Sequence, residues 1–191
     1  MSPDIERFFS SHIEVVQSAL SLRPQADAAA EAIVAALGEG KKLICMGNGG
    51  SASQASHMAG ELTGRFKANR APLPAISLSS DGSTVTCISN DYGFESLFER
   101  QVEAFTAAGD IVLGLTTSGK SENVVRAMRK AKQLGAQTIA LTGARGLSGC
   151  EVDHLIAVPS DVTAHIQELH LMLLHYWCMA IDARFSAVAN N

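Results

Sequence analysis

Polar and apolar positions divide the chain into two stretches of different rhythm. Through residues 5–20, Ile5, Phe8, Phe9, His12, Val15, Val16 and Leu20 recur at helical spacing and form one broad stripe. Pro3 in the first turn, followed by Asp4 and Glu6, marks the start of that helix. A second, alanine-rich helix is predicted from Gln25 to Leu37, stopped by Gly38-Glu39-Gly40. Residues 1–38 thus read as an N-terminal helical arm that packs on something else, such as another subunit.

From Lys42 onward short apolar runs take over: Lys42–Met46, Ala75–Leu78, Ile111–Leu115, Thr138–Leu141 and His154–Val158. Helical patterns lie between most of them, at 51–66, 93–107, 120–134 and 162–185, while 82–90 fits either helix or loop. Strands apolar on both faces and alternating with helices predict a parallel α/β sheet. Five strands are too few for a barrel, so the expected architecture is an open, doubly wound sheet in a single domain spanning 1–191. In such sheets ligands bind beyond the carboxyl ends of the strands. Three polar loops fall there: Gly47–Ser53, Leu78–Ser83 and Thr116–Ser121.

Composition narrows the function. The chain has 191 residues, 47% apolar and 18% charged, which suits a globular domain with a substantial core. A net charge of −4 without a basic block argues against nucleic acid as the main ligand. The start MSPDIERFFSS lacks the build of a signal peptide, and no run approaches a membrane span. Cys45, Cys87, Cys150 and Cys178 are widely spaced, with no CxxC. A reduced, cytoplasmic protein is expected.

The chemistry gathers behind the first strand. Gly47-Asn48-Gly49-Gly50-Ser51 is a glycine-rich turn leading into a helix, where free amides favour an anion. Four and eight residues further along that helix than Ser53 stand His57 and Glu61, whose i, i+4 spacing places their Cβ atoms about 5–6 Å apart on one face. Such a pair can share a divalent metal or exchange a proton. The loop Thr116-Thr117-Ser118-Gly119-Lys120-Ser121 offers hydroxyls and amides suited to a phosphate. Gly114 to Ser121 matches the nucleotide-binding pattern GxxxxGK[ST] letter for letter. Gly114, however, falls inside an apolar strand-like run, and no later run ends in an aspartate suited to magnesium. The last helix carries His165, Gln167, Glu168, His170 and His175. Gln167 and His175 are about 12 Å apart along the axis, so both reach one metal only by leaning toward its midpoint or from different subunits. His170 competes with them as a ligand.

In order, GNGGSAS, His57-x-x-x-Glu61-Leu-Thr-Gly-Arg65, Asn90-Asp91-Tyr-Gly-Phe, TTSGKS and Ile166-Gln167-Glu168-x-His170-x4-His175 resemble the bacterial phosphoheptose isomerases, members of the sugar-isomerase (SIS) domains. The resemblance implies a three-layer αβα sandwich whose N-terminal helices assemble a homotetramer with active sites near subunit boundaries. It implies isomerisation of sedoheptulose 7-phosphate to D-glycero-D-manno-heptose 7-phosphate, the first step of heptose supply for lipopolysaccharide cores and other surface glycans. By position, His57, Glu61, Gln167 and His175 match zinc ligands, one ion per subunit. Asn48, Gly49, Gly50, Ser51, Glu61, Asn90, Asp91, Thr116, Thr117, Ser118, Ser121 and Gln167 match substrate contacts, and Glu61 and His175 the catalytic acid/base groups. The chain departs from the pattern at Gln54, where many relatives carry an acidic residue, and at His165, where arginine is common. Gly60 sits mid-helix between two of the expected ligands. Two alternatives share the fold: a non-catalytic scaffold that binds the replication initiator, and a sugar-phosphate sensor.

Overall fold

Five strands pair side by side in a computed structural model that describes residues 4–186. They are β1 (Leu43–Gly47), β2 (Ala75–Ser77), β3 (Ile111–Thr116), β4 (Gln137–Thr142) and β5 (His154–Ala157), all parallel, in the order β2-β1-β3-β4-β5. Each lies within two residues of its predicted run. The strand order reverses between β1 and β3, leaving a crevice above their carboxyl ends where the loops after Gly47 and after Thr116 face each other.

Alternation of side chains sorts the helices into two layers. Leu43 and Cys45 point to one face, with Leu113, Leu115, Ile139 and Leu141, and meet α2 (Arg23–Gly38), α3 (Gly50–Thr63) and α7 (Thr163–Phe185). Ile44 and Met46 point to the other, with Val112 and Ala140, and meet α4 (Gly82–Tyr92), α5 (Leu97–Phe105) and α6 (Glu122–Gln133). The result is an αβα sandwich with a core on each face of the sheet. Gly114 lies within β3, registered between Met46 and Ala140. Its letter match to a nucleotide loop is therefore strand geometry, and a Cβ there would press on Met128 and Val124.

The ambiguous segment 82–90 is helical: it belongs to α4, whose first turn is capped by the Asp81 carboxylate accepting from the Ser83 amide. The predicted helix at 93–107 resolves into a 3₁₀ turn, Phe94–Ser96, followed by α5. Asp4 is the cap of α1 (Ile5–Ala19), accepting from the amides of Glu6 and Arg7, while Pro3 lies outside the described residues.

The two N-terminal helices differ in their burial. α2 is part of the sandwich, with Ala29 and Ile33 fully enclosed. α1 buries no residue. Val15, Val16 and Ala19 lean on Val158, Ile166 and Leu169, whereas Phe8, Phe9, Ile13 and Leu20 face outward. Polar contacts hold the helix to α7: the His12 imidazole meets the Glu168 carboxylate, and Ser11 Oγ lies 3.3 Å from His165 Nε2. His165 thus occupies the seam between α1 and α7.

Candidate active site

Helix α3 turns the spacing of His57 and Glu61 into contact. His57 Nε2 lies 3.1 Å from Glu61 Oε1. Across the same layer α7 brings His175, whose Nε2 is 3.1 Å from His57 Nε2. One donor atom from each of the three residues falls within 4.8 Å of the others. Donors around a tetrahedral zinc-sized ion stand roughly 3.3 Å apart at bond lengths of about 2.0–2.1 Å. Two imidazole nitrogens and a carboxylate oxygen at this spacing can therefore hold a metal ion. The cluster is open to ligands, with the His57 side chain 40% exposed.

Phe66, in the loop after α3, stacks on the His175 ring at 5.5 Å between centroids and 24° between planes. Behind the cluster, Cys178 is buried with its Sγ 3.7 Å from Met58 Sδ. Burial, followed by the charges of Glu61 and Asp182, pushes its thiol up to about 12. His170 points away from the cluster. It is fully enclosed, its Nε2–H donating to the Thr142 carbonyl, and burial lowers its pKa to about 4. Its role is a core hydrogen bond.

The two polar loops lie at the ends of β1 and β3, and the first leads into α3, which carries His57 two turns further on. In the first, Gly49 takes a left-handed φ of +58° and α3 begins at Gly50, with Ser51 buried at the helix start. Gly50 is demanded by contact: a Cβ there would stand 2.5 Å from the Gln167 side-chain amide. That places Gln167 of α7 at the mouth of the loop. Gln54 adds a second tie, donating from Nε2 to the Gln167 carbonyl. In the second loop Thr116 Oγ1 lies 2.9 Å from Ser121 Oγ, and Ser118 Oγ accepts from the Lys120 amide. A polar hollow beside it is lined by Thr117, Ser118, Lys120, Arg145, Asp161 and Thr163.

Asn48 and Asn123 join the loops through reciprocal amide hydrogen bonds of 2.9 Å each. Asn123 is buried and also accepts from the Val124 amide. Sequence reasoning missed it, although an asparagine directly before the apolar positions Val124 and Val125 is a visible signal. Phe66, Arg70 and Asp182 were missed as well, and of these only Asp182 stands out in sequence, as a charge on the Cys178–Ile181 stripe. Asn90 and Asp91 are not drawn into the cluster or the loops. They are exposed near the end of α4, with Asn90 Nδ2 donating to Asp91 Oδ1.

Comparison with known proteins identifies the family. The family model described as SIS domain matches residues 7–143. A phosphoheptose isomerase of Aquifex aeolicus is 46% identical over 184 residues, covering 95% of this chain and 96% of its own. A solved phosphoheptose isomerase from Francisella tularensis superposes with a TM-score of 0.89 at 39% identity, covering 94% of this chain and 96% of its own. One from Neisseria gonorrhoeae gives 0.86 at 39% identity, covering 94% and 97%.

Proposed function

The chain belongs to the SIS-domain family of phosphoheptose isomerases, and on that footing we propose that it converts sedoheptulose 7-phosphate to D-glycero-D-manno-heptose 7-phosphate. The observation that carries this reading is the convergence of His57, Glu61 and His175 on α3 and α7, the helices that also meet at the loop after β1 through Gly50 and Gln167. Ser51 with Thr116, Thr117, Ser118 and Ser121 receives the phosphate. Asn48, Gly49, Gly50 and Gln167 line the approach to the sugar, and Asn90 and Asp91 take its hydroxyls in the assembled protein.

Isomerisation moves one proton between adjacent carbons. Glu61 takes the proton from C1 of the ketose; the electron pair forms the C1–C2 double bond as the C2 oxygen gains a proton, giving an enediol. The enediol collapses when C2 is protonated and the C1 hydroxyl gives up its proton, leaving the aldehyde. His175 is the partner acid/base that moves the proton between the two oxygens. Zinc, one ion per subunit on His57, Glu61, Gln167 and His175, would supply Lewis-acid stabilisation of the charge developing on oxygen. All three cluster donors are present, which disfavours the scaffold alternative.

The wider setting belongs to the same proposal. The outward apolar side chains of α1 and the exposed Met172, Tyr176 and Met179 of α7 support assembly into a homotetramer. No described helix is long and apolar enough to cross a membrane. We place the enzyme in the cytoplasm, supplying heptose for lipopolysaccharide core or other surface glycans. The test is to incubate purified protein with sedoheptulose 7-phosphate, with and without a chelator, and follow aldose formation. Product that disappears with chelator and returns with zinc is expected. Absence of product with zinc restored would overturn the reading.

A further inference from the structure

Behind the cluster lies a buried ion pair that touches none of the three donors, yet reaches the segments that carry them. Arg70 Nε donates to Asp182 Oδ1 at 3.1 Å, with the two side chains 1% and 9% exposed. The rest of the guanidinium fork faces the end of α3. Nη2 donates to the Glu61 carbonyl at 2.7 Å and Nη1 to the Leu62 carbonyl at 2.9 Å. Those are last-turn carbonyls without helical partners, where a cation is also favoured by the helix dipole. Glu61 is therefore gripped by its own backbone.

The other half of the pair acts on His175. Asp182 stands seven residues later on α7, two turns along the same side of the helix. Its Oδ2 accepts from the amides of Lys67 and Ala68 at 3.0 and 2.9 Å. These amides directly follow Phe66, whose ring lies on His175. Burial raises the Asp182 pKa, but the Ala68 and Lys67 amides and then Arg70 outweigh it and leave the carboxylate below its ordinary value.

A buried ion pair is weak evidence for stability, since apolar residues of similar volume often serve as well or better. Its use here lies in what it connects. We infer that Arg70 and Asp182 are positioning residues for the metal site, setting the approach of α3 to α7 and holding Phe66 against the His175 ring. Neither residue touches the reacting atoms. The inference rests on the isomerase reading and adds to it the unit that fixes donor geometry.

The test compares Asp182→Ala, Asp182→Asn and Arg70→Lys with the unaltered protein. Zinc affinity is measured by competition with a chromogenic chelator well below the melting temperature, alongside kcat and KM for sedoheptulose 7-phosphate. Outer partners of metal ligands typically change affinity or activity by about 10–100-fold, so Asp182→Ala should lose that much in zinc affinity and in kcat. KM should stay within about threefold because the phosphate loops are untouched. Asp182→Asn keeps one oxygen for both amides but turns its NH2 toward Arg70, so it should recover only part of the loss. Asp182→Ala with unaltered zinc affinity and kcat would overturn the inference, whatever its melting temperature. Should that variant fail to fold, Arg70→Lys decides. It keeps the charge but lacks the fork spanning Asp182 and two carbonyls, so the same fall is expected and unaltered values overturn. If the unaltered protein neither binds zinc nor turns over, the isomerase reading itself fails. If it does both and the variants match it, the positioning role alone fails.

Discussion

The imidazoles of His57 and His175 meet nitrogen to nitrogen at 3.1 Å, although the residues are 118 positions apart and stand on different helices. Two such nitrogens approach this closely when one donates to the other or when both turn lone pairs toward a shared cation. Glu61 Oε1, also 3.1 Å from His57 Nε2, adds negative charge and favours the second arrangement.

Replacing Glu61 by Gln should separate chemistry from folding. The amide keeps size and helix propensity but cannot take a proton from carbon. A general base is typically worth about 10²–10⁴-fold. Turnover of sedoheptulose 7-phosphate should drop by at least the lower figure while circular dichroism and the thermal midpoint remain close to those of the unaltered chain. Near-normal turnover would remove Glu61 as the base.

His170 makes stability depend on acid. Its folded pKa of about 4 lies below the ordinary 6.5 because burial favours the neutral ring. Between those values the unfolded chain binds a proton that the folded chain refuses. Lowering the pH through that window therefore destabilises the fold, by up to about 1.4 kcal/mol per unit and roughly 3 kcal/mol in all. Urea midpoints measured from pH 7 to pH 4 should fall, and His170→Gln should flatten the slope. An unchanged slope in that variant would assign the acid sensitivity to other groups.

Gly60 offers a stabilising substitution. A Cβ there meets nothing within 4 Å, and the residue lies within the last turn of α3. Gly60→Ala should add about 0.5–1 kcal/mol, a rise of roughly 1–4 °C in melting temperature for a chain of this size. Scanning calorimetry checks it, and a lower midpoint would mean that the exposed side of α3 is covered in the assembled protein.

The outward side of α1 should hold the assembly together. Phe9 is 58% exposed on a helix that buries no residue of its own. Phe9→Glu puts a charge where an apolar contact is proposed, at a cost of several kcal/mol if that contact is dry. Sedimentation at micromolar concentration should then give a mass well below four chains of 20.1 kDa, with the far-ultraviolet spectrum unchanged. A mass equal to that of the unaltered protein would exclude this face.

The sheet was legible because its strands are buried from both sides. Ile44 and Met46 serve one core while Leu43 and Cys45 serve the other, so the run is apolar without a period. His57 and Glu61 were legible as a pair because a helix converts spacing into distance. His175 was harder, since its meeting with His57 depends on how α7 crosses α3, which spacing alone does not encode. Arg70 was invisible for the same reason. Among Arg65 and Lys67 it reads as a solvated charge, and its partner lies 112 residues further on. Asn90 and Asp91 mark the other limit, since no hydrogen bond among the described residues connects them to the loops.

Asn48 and Asn123 tie the loop after β1 to the start of α6, so the walls flanking the switch point move as one. A cradle joined in this way is assembled during folding, before any sugar arrives. The entropy of ordering two walls is then already spent, and on the proposed reading a substrate phosphate would meet donors that need not be recruited. Affinity for the phosphate end should accordingly be set by departure rates more than by slow rearrangement on arrival.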